Sequence, residues 1–433
     1  MTRTIALCIS LCVLLSMCGC RSANDDRYSE ILEIISIYED VPKKENSSTS
    51  NTNEIVSSTP DKTHTESSNT NNGSSAVNTE SSKVNTSSII ESDNIICVSP
   101  KNKSTVSILN EDMISYLSQK YTPAKMDEYF TGKDNFAPKS VKLSWSVSGS
   151  RPSNYQIEVS LNNDMSNSVT YSSNNTELTL YNLFAAKTYY WRIITTQAKQ
   201  TIRSKIFSFS TENYIPRTIY AEGVSNTRDI GGWSTASGKK VKQGMIYRGA
   251  KLNDITENGK KTMLNSLGIK MDLDLRNSSE TGGSHISPLG MDVLYCNISF
   301  PYYALGSNTS INDSGTHEAI ATVMSVLANP DNYPVYLHCS IGRDRTGTLV
   351  SLINGLLGVS EEDLAKDYEL SYFAGCFDAN PIPMRDMLPK FLTIPNYIKT
   401  YNGKTYSESV EKFLLKIGVS KSDINSIRSI MLE

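Results

Sequence analysis

The chain contains 433 residues, with a formal net charge of −3 at pH 7 and charged side chains at 20% of positions. That length accommodates two ordinary domains with additional segments, and the nearly balanced charge gives no general basis for nucleic-acid binding. Beyond residue 20 the cysteines are Cys97, Cys296, Cys339 and Cys376, a set that gives no disulfide framework. The four histidines lack the spacing of a metal site, so the sequence predicts neither a bound metal nor another cofactor.

Residues 1–20 predict a leader. Arg3 precedes an apolar run from Ile5 to Met17, and Gly19 stands before Cys20. The run is shorter than the about twenty apolar residues that a spanning helix needs. A charged start, a short apolar core and a small residue before cysteine resemble a bacterial lipoprotein signal peptide. This resemblance implies lipidation at Cys20 and an extracytoplasmic protein, anchored to the cell membrane by lipid.

Two segments follow the leader. Residues 21–42 form a short N-terminal segment, in which the stretch from Tyr28 to Tyr38 favours a brief helix. Residues 43–92 are rich in Ser, Thr and Asn, so they cannot bury enough apolar surface to offset the entropy of ordering. We expect a disordered linker that lets the folded part range some tens of ångströms from the membrane.

Residues 93–212 carry short runs of alternating apolar and polar residues, separated by turns rich in Asn, Ser and Gly. This period of two predicts an all-β sandwich with Trp145 and Trp191 in its core. A polar insertion containing Met113 to Lys120 has a helical pattern. The Leu-Ser-Trp and Tyr-Tyr-Trp-Arg-Ile runs resemble a fibronectin type III or related immunoglobulin-like domain, whose partner the sequence does not identify. Strands are predicted at Leu143–Val147, Tyr155–Ser160, Leu178–Leu180, Tyr189–Ile193 and Lys205–Phe209.

Residues 334–347 carry the most informative pattern. An apolar strand leads into Cys339, and Arg345 follows six positions later at the start of a predicted helix. If the chain between them curls, its backbone N–H groups converge and form an anion nest. The helix N-terminus and the Arg345 guanidinium add positive charge at the same point. The predicted phosphate-binding residues are Ser340, Ile341, Gly342, Arg343, Asp344, Arg345 and Thr346.

Such an environment stabilises a thiolate as well as a phosphate. Because a free cysteine is largely protonated at neutral pH, Cys339 needs these positive charges in order to attack phosphorus. Gly342 and Gly347 supply the backbone freedom of the curl, and Thr346 Oγ1 is placed to bond the Cys339 sulfur as it leaves. The pattern therefore indicates a cysteine nucleophile, with Arg345 binding the phosphoryl oxygens.

The run His-Cys-x-x-Gly-x-x-Arg-Thr-Gly resembles the signature loop of the protein-tyrosine phosphatase superfamily. Its Gly-Arg-Asp-Arg centre is similar to that of bacterial dual-specificity tyrosine and lipid phosphatases, although Arg343 stands where that family usually has lysine. The likeness covers residues 213–433 and implies a phosphocysteine intermediate and no metal, with supporting roles for His338, Arg228, Asp229 and Arg248. Further matching stretches are Asn226-Thr227-Arg228-Asp229-Ile230-Gly231-Gly232, Tyr247-Arg248-Gly249-Ala250, 272–276 with Glu280, and Asp367-Tyr368-Glu369-Leu370-Ser371.

The leaving oxygen also needs a proton donor. The Trp-Pro-Asp loop of larger tyrosine phosphatases is absent from the sequence. Two aspartates are candidates: Asp344 inside the loop, and Asp274 at the end of an apolar strand, where α/β folds gather catalytic residues. The other interpretation makes Asp274 a partner of Arg276 or Arg248, and Asp344 a solvated loop residue.

The C-terminal half alternates apolar strands with segments of helical periodicity. This order predicts an α/β domain over 213–433, with a central, mostly parallel sheet flanked by helices, in a multidomain chain that also contains the all-β sandwich. Tyr302, Tyr303 and Tyr372 are candidates for lining a substrate pocket, the alternative being core or surface positions. Strands are expected at 270–275, 292–298 and 334–338, and helices at 317–328, 346–357, 361–372 and 407–417.

These features predict a surface-tethered, metal-independent phosphatase. The family resemblance implies phosphotyrosine proteins as substrates, with phosphoserine, phosphothreonine and phosphoinositides as further options. One alternative is an inositol-phosphate phosphatase that uses Arg343 as an extra clamp, and another is an adhesion or scaffold protein with an inactive phosphatase domain. Reversible pairing of Cys339 with Cys376 is a further hypothesis, because a thiolate outside the cytoplasm is open to oxidation.

Overall fold

The structure, a computed structural model, describes residues 89–119, 136–301, 311–374 and 384–433. The expected leader with Cys20, the segment 21–42 and the linker up to residue 88 lie outside these ranges, as do Tyr302, Tyr303 and Cys376. The expectations for these residues stay predictions. Within the described ranges, no helix is long and apolar enough to cross a membrane.

Short strands occupy much of residues 90–211. All five predicted strands are found, and Tyr155–Ser160 is found with the predicted ends. No bounds were predicted for the other five strands, of which the sixth and ninth are largely polar and alternate weakly. The strands are β1 Ile90–Glu91, β2 Ile95–Ser99, β3 Ser104–Val106, β4 Val141–Val147, β5 Tyr155–Ser160, β6 Val169–Ser173, β7 Glu177–Leu180, β8 Thr188–Gln197, β9 Gln200–Arg203 and β10 Phe207–Thr211.

These strands form two sheets that pack around one apolar core. Three strands form one sheet in the order β2-β4-β7, and the other seven form the second sheet. Trp145 and Trp191 are 2% and 0% exposed and lie in the core, as predicted. The likeness of this region to a fibronectin type III domain stays a prediction.

The C-terminal half contains a five-stranded sheet with the strands β11 Arg228–Asp229, β12 Ile246–Gly249, β13 Met271–Asp274, β14 Leu294–Asn297 and β15 Val335–His338. Their order is β11-β12-β15-β13-β14, and every pair is parallel except β11 with β12. The predicted mostly parallel sheet is confirmed, although β11 and β12 were not predicted. Because parallel strands end on the same edge of a sheet, the loop after β15 lies between the ends of β12 and β13.

Helices surround this sheet, and the four predicted helical segments are found. Alternate residues of β15 enter different apolar clusters, Val335 and Leu337 one and Tyr336 another, so both faces of the sheet are covered. The described α-helices are α1 Glu111–Ser118, α2 Glu257–Lys261, α3 Ser278–Thr281, α4 Ser314–Leu327, α5 Asp344–Leu357, α6 Glu361–Glu369, α7 Met384–Phe391, α8 Thr393–Lys399, α9 Tyr406–Lys416 and α10 Lys421–Met431.

Helix α1 confirms the helical pattern predicted for the polar insertion. Its N-cap is Asn110, whose side chain accepts a hydrogen bond from Met113 N at 2.8 Å. Its apolar face, with Met113 and Tyr116, packs into the core of the C-terminal half and not into the sandwich core. Helix α1 therefore precedes the expected boundary at residue 212 in the chain but lies in the core of the C-terminal half, and all described residues belong to one compact unit.

Candidate active site

The loop from Cys339 to Arg345 joins β15 to α5. Gly342 has a φ of +71°, a conformation that side chains other than glycine rarely adopt. A Cβ atom at this position would lie 2.2 Å from the carbonyl oxygen of Gly249, at the end of β12. Position 342 therefore requires glycine for two reasons: the backbone conformation of the turn and the close approach to the neighbouring strand.

Four consecutive carbonyl groups of the loop accept hydrogen bonds from residues outside the loop. The Ser340 oxygen accepts from the amide of Lys251 at 3.1 Å, and the Ile341 oxygen accepts from Asn226 Nδ2 at 2.8 Å. Arg248 Nη2 donates to the oxygens of both Gly342 and Arg343, at 2.7 and 3.2 Å. With these carbonyl groups turned outward, the N–H groups of the curl are turned toward its centre.

The amide groups inside the curl have the arrangement of an anion site. Within the described residues, the N–H groups of Ser340, Ile341 and Gly342 donate to no protein acceptor. The loop ends at the N-terminus of α5, a helix of 14 residues that no side chain caps in the described part of the chain. Unpaired amides and the positive end of a helix dipole both bind anions.

Cys339 lies at the base of this curl and is 2% exposed. The preceding His338 is also buried, and its Nε2 lies 2.8 Å from Asp272 Oδ1, while Nδ1 lies 3.2 Å from the Cys339 carbonyl oxygen. Burial acts to lower the pKa of His338, but the carboxylates of Asp272 and Asp274 outweigh it and raise the pKa. The cationic form of His338 is therefore more favoured than that of a free imidazole.

Arg345 reaches the mouth of the loop and is held there by Glu280. Its Nη1 and Nη2 donate to the two carboxylate oxygens, each at 2.6 Å, and Nη2 also donates to Ser340 Oγ at 3.1 Å. Glu280 occupies the third position of α3, where a capping box with Asn277 fixes it. This planar, bidentate pair fixes the position of the guanidinium at the loop.

The Glu280 carboxylate is strongly favoured over the acid. Hydrogen bonding from Arg345, and then from Ser340 Oγ at 2.6 Å, lowers the pKa of Glu280 to about 2. The side chain is 26% exposed, so solvent screens part of this attraction. Glu280 was matched in the family resemblance but was assigned no role. The Asn277-x-x-Glu280 spacing, which is typical of a capped helix start, was the available signal.

Asp344 is buried at the start of α5, so the interpretation of it as a solvated residue is wrong. Its carboxylate accepts from Tyr368 at 2.8 Å and pairs with the neighbouring Arg343 at 3.1 Å. Arg343 is itself only 5% exposed. The arginine predicted as a phosphate clamp therefore pairs with the loop's own carboxylate.

Asp274 has contacts that oppose a catalytic role. Its carboxylate accepts hydrogen bonds from Arg276 Nε and Nη2, and from Tyr295 at 3.0 Å. Burial acts to raise the pKa of Asp274, but the hydrogen bonds from Arg276 and the charge of His338 outweigh it and lower the pKa. A carboxyl group with a lowered pKa is a poor proton donor. Asp274 is thus a partner of Arg276, the second of the two interpretations.

Arg228 and Arg248 brace the loop through a shared carboxylate. Asp367 on α6 accepts from Arg228 Nε at 2.9 Å and pairs with Arg248 Nη1, and all three side chains are buried. Burial acts to raise the pKa of Asp367, but the two arginines outweigh it and lower the pKa. Asp229 lies apart from this group and binds Arg217 at 3.0 Å. Asp367 and the loop contact of Asn226 were not predicted, because they bring together residues more than 100 positions apart.

Thr346 and Tyr372 have surroundings that differ from those expected for a sulfur-bonding hydroxyl and a pocket residue. Thr346 Oγ1 is buried and makes no hydrogen bond within the described residues, so the expected bond to the Cys339 sulfur is not formed. Tyr372 is 4% exposed and belongs to the apolar core. This position agrees with the alternative that placed Tyr372 in the core.

The parallel sheet and the curled loop between Cys339 and Arg345 have the arrangement of a Cys-x5-Arg phosphatase site. In agreement, residues 219–433 match the profile described as "Tyrosine phosphatase family".

Individual proteins show the same likeness. The chain is 26% identical over 165 residues to a candidate tyrosine-protein phosphatase of Cupriavidus necator, covering 34% of this chain and 59% of the relative. It is 28% identical over 191 residues to the triple specificity protein phosphatase PtpB of Mycobacterium tuberculosis, covering 34% and 66%. The chain therefore spans about three fifths to two thirds of the length of these relatives.

Among solved structures, the core catalytic domain of the PP-IP phosphatase SIW14 from S. cerevisiae, in complex with citrate, is similar at 16% identity with a TM-score of 0.24. The similarity covers 43% of this chain and 95% of that domain.

Proposed function

We propose that the chain is a cysteine-dependent phosphomonoesterase that hydrolyses phosphotyrosine in proteins. The observation that carries the proposal is the bonding of all four carbonyl groups from Ser340 to Arg343 on the outside of the loop. This bonding leaves amides, a helix N-terminus and Arg345 around Cys339. A loop that only connected a strand to a helix would not need an anion site with a thiol at its base.

In the first step, the Cys339 thiolate attacks phosphorus and the ester P–O bond breaks, which gives a phosphocysteine and the leaving phenoxide. Charge builds up on the equatorial oxygens, and the loop amides and Arg345 stabilise it without reorganisation. Water then attacks phosphorus, the S–P bond breaks, and inorganic phosphate and the thiolate are released. Thr346 Oγ1, which has no hydrogen bond in the described structure, is available to bond the departing sulfur.

We assign the proton transfer to Asp344. It lies inside the loop that carries Cys339 and Arg345, whereas Asp274 lies at the end of β13, where hydrogen bonds from Arg276 and the charge of His338 lower its pKa despite its burial. In its acid form Asp344 gives a proton to the phenoxide, and as a carboxylate it takes one from the attacking water. Tyr368 and Arg343 orient this carboxylate and hold it in place between the two steps.

The proposed substrate class is supported by the names of two relatives, one a candidate tyrosine-protein phosphatase and the other a triple specificity protein phosphatase. The alternative substrate, an inositol phosphate held by Arg343, has less support. The Arg343 guanidinium is buried and paired with Asp344, so it would have to leave this pair to reach a second phosphate. Phosphoserine, phosphothreonine and phosphoinositides are further candidate substrates, whose rates of hydrolysis are compared with that of phosphotyrosine.

The test measures phosphate release by the full chain from a phosphotyrosine peptide, a phosphoserine peptide, phosphoinositides and inositol hexakisphosphate. Cys339→Ser is the inactive variant, and Cys97→Ser, a half-buried thiol in the sandwich, is its matched control. We expect chelator-resistant turnover that is highest on phosphotyrosine, lost in Cys339→Ser and kept in Cys97→Ser. Turnover that persists in Cys339→Ser would disprove the mechanism. If no substrate is hydrolysed, the scaffold alternative takes its place.

We also propose that Cys20 is lipidated and tethers the enzyme outside the cytoplasm, as the leader pattern indicates. Expression in a bacterial host with labelled palmitate tests this directly. Cys20→Ser should lose the label and leave the membrane fraction, while Cys18→Ser should keep both. Equal labelling of the two variants would contradict the assignment.

A further inference from the structure

A segment that precedes the phosphatase family domain contacts the residues that brace its loop. Tyr116 on α1 is buried, and its hydroxyl group donates to the carboxylate of Glu369, which is fully buried at the end of α6. Its ring packs against Phe373 in an edge-to-face arrangement, with the centroids 6.0 Å apart. Because α6 also carries Asp367, Tyr116 fixes the end of the helix that holds Arg228 and Arg248.

Phe136 reaches the same group of residues by another route. Its ring lies under Arg228, with the guanidinium carbon 5.6 Å from the ring centroid. That distance is within the about 6 Å at which a cation and an aromatic face attract. The side chain is 3% exposed and belongs to the apolar core that contains Cys339.

A continuous set of contacts then leads to the anion site. Phe136 covers Arg228, Arg228 pairs with Asp367, Asp367 pairs with Arg248, and Arg248 donates to the carbonyl oxygens of Gly342 and Arg343. Each member is buried, so water does not screen the charges. The outward orientation of the loop carbonyls therefore depends on side chains that the family domain does not contain.

We propose that Tyr116 and Phe136 are positioning residues for the phosphate loop, and that residues 219–433 form a complete catalytic unit only with this preceding segment. The inference rests on the proposed function, since it concerns the same loop. It predicts that loss of the Phe136 ring loosens Arg228, and through Asp367 and Arg248 weakens the loop's hold on a phosphate.

The experiment uses the full chain with Phe136→Leu and Tyr116→Phe. Each has a matched control in the sandwich core: Phe209→Leu repeats the first change at a fully buried ring, and Tyr155→Phe removes a buried hydroxyl that has no hydrogen bond within the described residues. The measured quantities are kcat and KM for a phosphotyrosine peptide, and the rate of Cys339 alkylation by iodoacetamide at pH 6, with and without inorganic phosphate. Thermal unfolding of every variant defines a temperature at which all are folded.

We expect Phe136→Leu to lower kcat/KM by about three- to thirtyfold, the range of a cation–π contact. It should also slow alkylation of Cys339 and weaken its protection by phosphate. Tyr116→Phe should act in the same direction, by roughly two- to tenfold, since one buried hydrogen bond is lost. Both control variants should keep the kinetics and the phosphate protection of the wild type.

The outcomes separate this inference from the proposed function. If the wild type hydrolyses the peptide but Phe136→Leu and Phe209→Leu have equal kinetics, the positioning role is refuted and the proposed function stands. If the wild type shows no turnover and no protection by phosphate, the proposed function fails. The alkylation rates of the two Phe→Leu variants then decide the positioning role, because different rates support it and equal rates refute it.

Discussion

Glu280→Gln tests the arrangement that orients Arg345. The carboxylate accepts from two guanidinium nitrogens at 2.6 Å and from Ser340 Oγ at the same distance. Glutamine keeps one oxygen acceptor, loses the charge, and places an NH2 group opposite the second guanidinium nitrogen. One charge-assisted hydrogen bond contributes about 1.5–3 kcal/mol. Because the side chain is 26% exposed, we take the lower part of that range, about 1.5–2 kcal/mol.

This energy corresponds to a loss of about 10- to 30-fold in kcat/KM, at about 1.4 kcal/mol for each factor of ten. Steady-state kinetics on a phosphotyrosine peptide measure it. The matched control is Glu411→Gln, since Glu411 accepts from Arg428 Nη1 at 2.6 Å and also pairs with Lys421, between α9 and α10. We expect the control to lose stability and to keep kcat/KM within about twofold. Glu280→Gln kinetics equal to those of the control would refute the argument.

The pH dependence of stability provides an independent check on the same residue. The folded-state pKa of Glu280, about 2, lies below the unfolded value of about 4.3. A lowered pKa stabilises the folded state above the unfolded pKa, and this stabilisation is lost as the pH falls through the folded pKa. The stability difference between the wild type and Glu280→Gln should be constant near neutral pH and shrink from about pH 4.3 downward. A difference that shrinks only at alkaline pH would contradict this sign.

Three further predictions concern single residues of the site. Asp367→Asn leaves Arg228 and Arg248 buried without their shared carboxylate, so the free energy of unfolding measured in urea should fall by about 3–5 kcal/mol. A fall below about 1 kcal/mol would contradict the bracing role. Asp344→Asn should lower kcat on a phosphotyrosine peptide by about 10²–10⁴. It should lower kcat far less on p-nitrophenyl phosphate, because that substrate has a better leaving group. Asp274→Asn should affect both substrates equally, and the reverse pattern would make Asp274 the acid. Gly342→Ala should abolish turnover, because its Cβ would lie 2.2 Å from a carbonyl oxygen. The control Gly238→Ala has a similar positive φ with nothing within 4 Å, so it should cost only about 1–2 kcal/mol of stability. Equal activity in both variants would exclude the close approach as the cause.

The sequence alone was sufficient for the features that depend on neighbouring residues. Periodicity identified the strand before Cys339 and the helix after it, because side-chain alternation along a strand and spacing along a helix are local properties. The Cys339 to Arg345 spacing with Gly342 indicated the anion site, since the curl is made by the backbone of that segment itself. The sandwich strands around Trp145 and Trp191 were found for the same reason.

Only the tertiary structure decided the roles of groups that are distant in the chain. Asp274 and Asp344 are both candidate acids in the sequence, and only the structure shows their partners, Arg276 for the first and Tyr368 for the second. Glu280 acquired its role because α3 places it opposite Arg345, which is 65 positions away. Helix α1 looked like part of the sandwich in the sequence, but its buried face packs in the C-terminal core. Burial and pairing are set by residues from different segments, and no pattern within one segment records which of them meet.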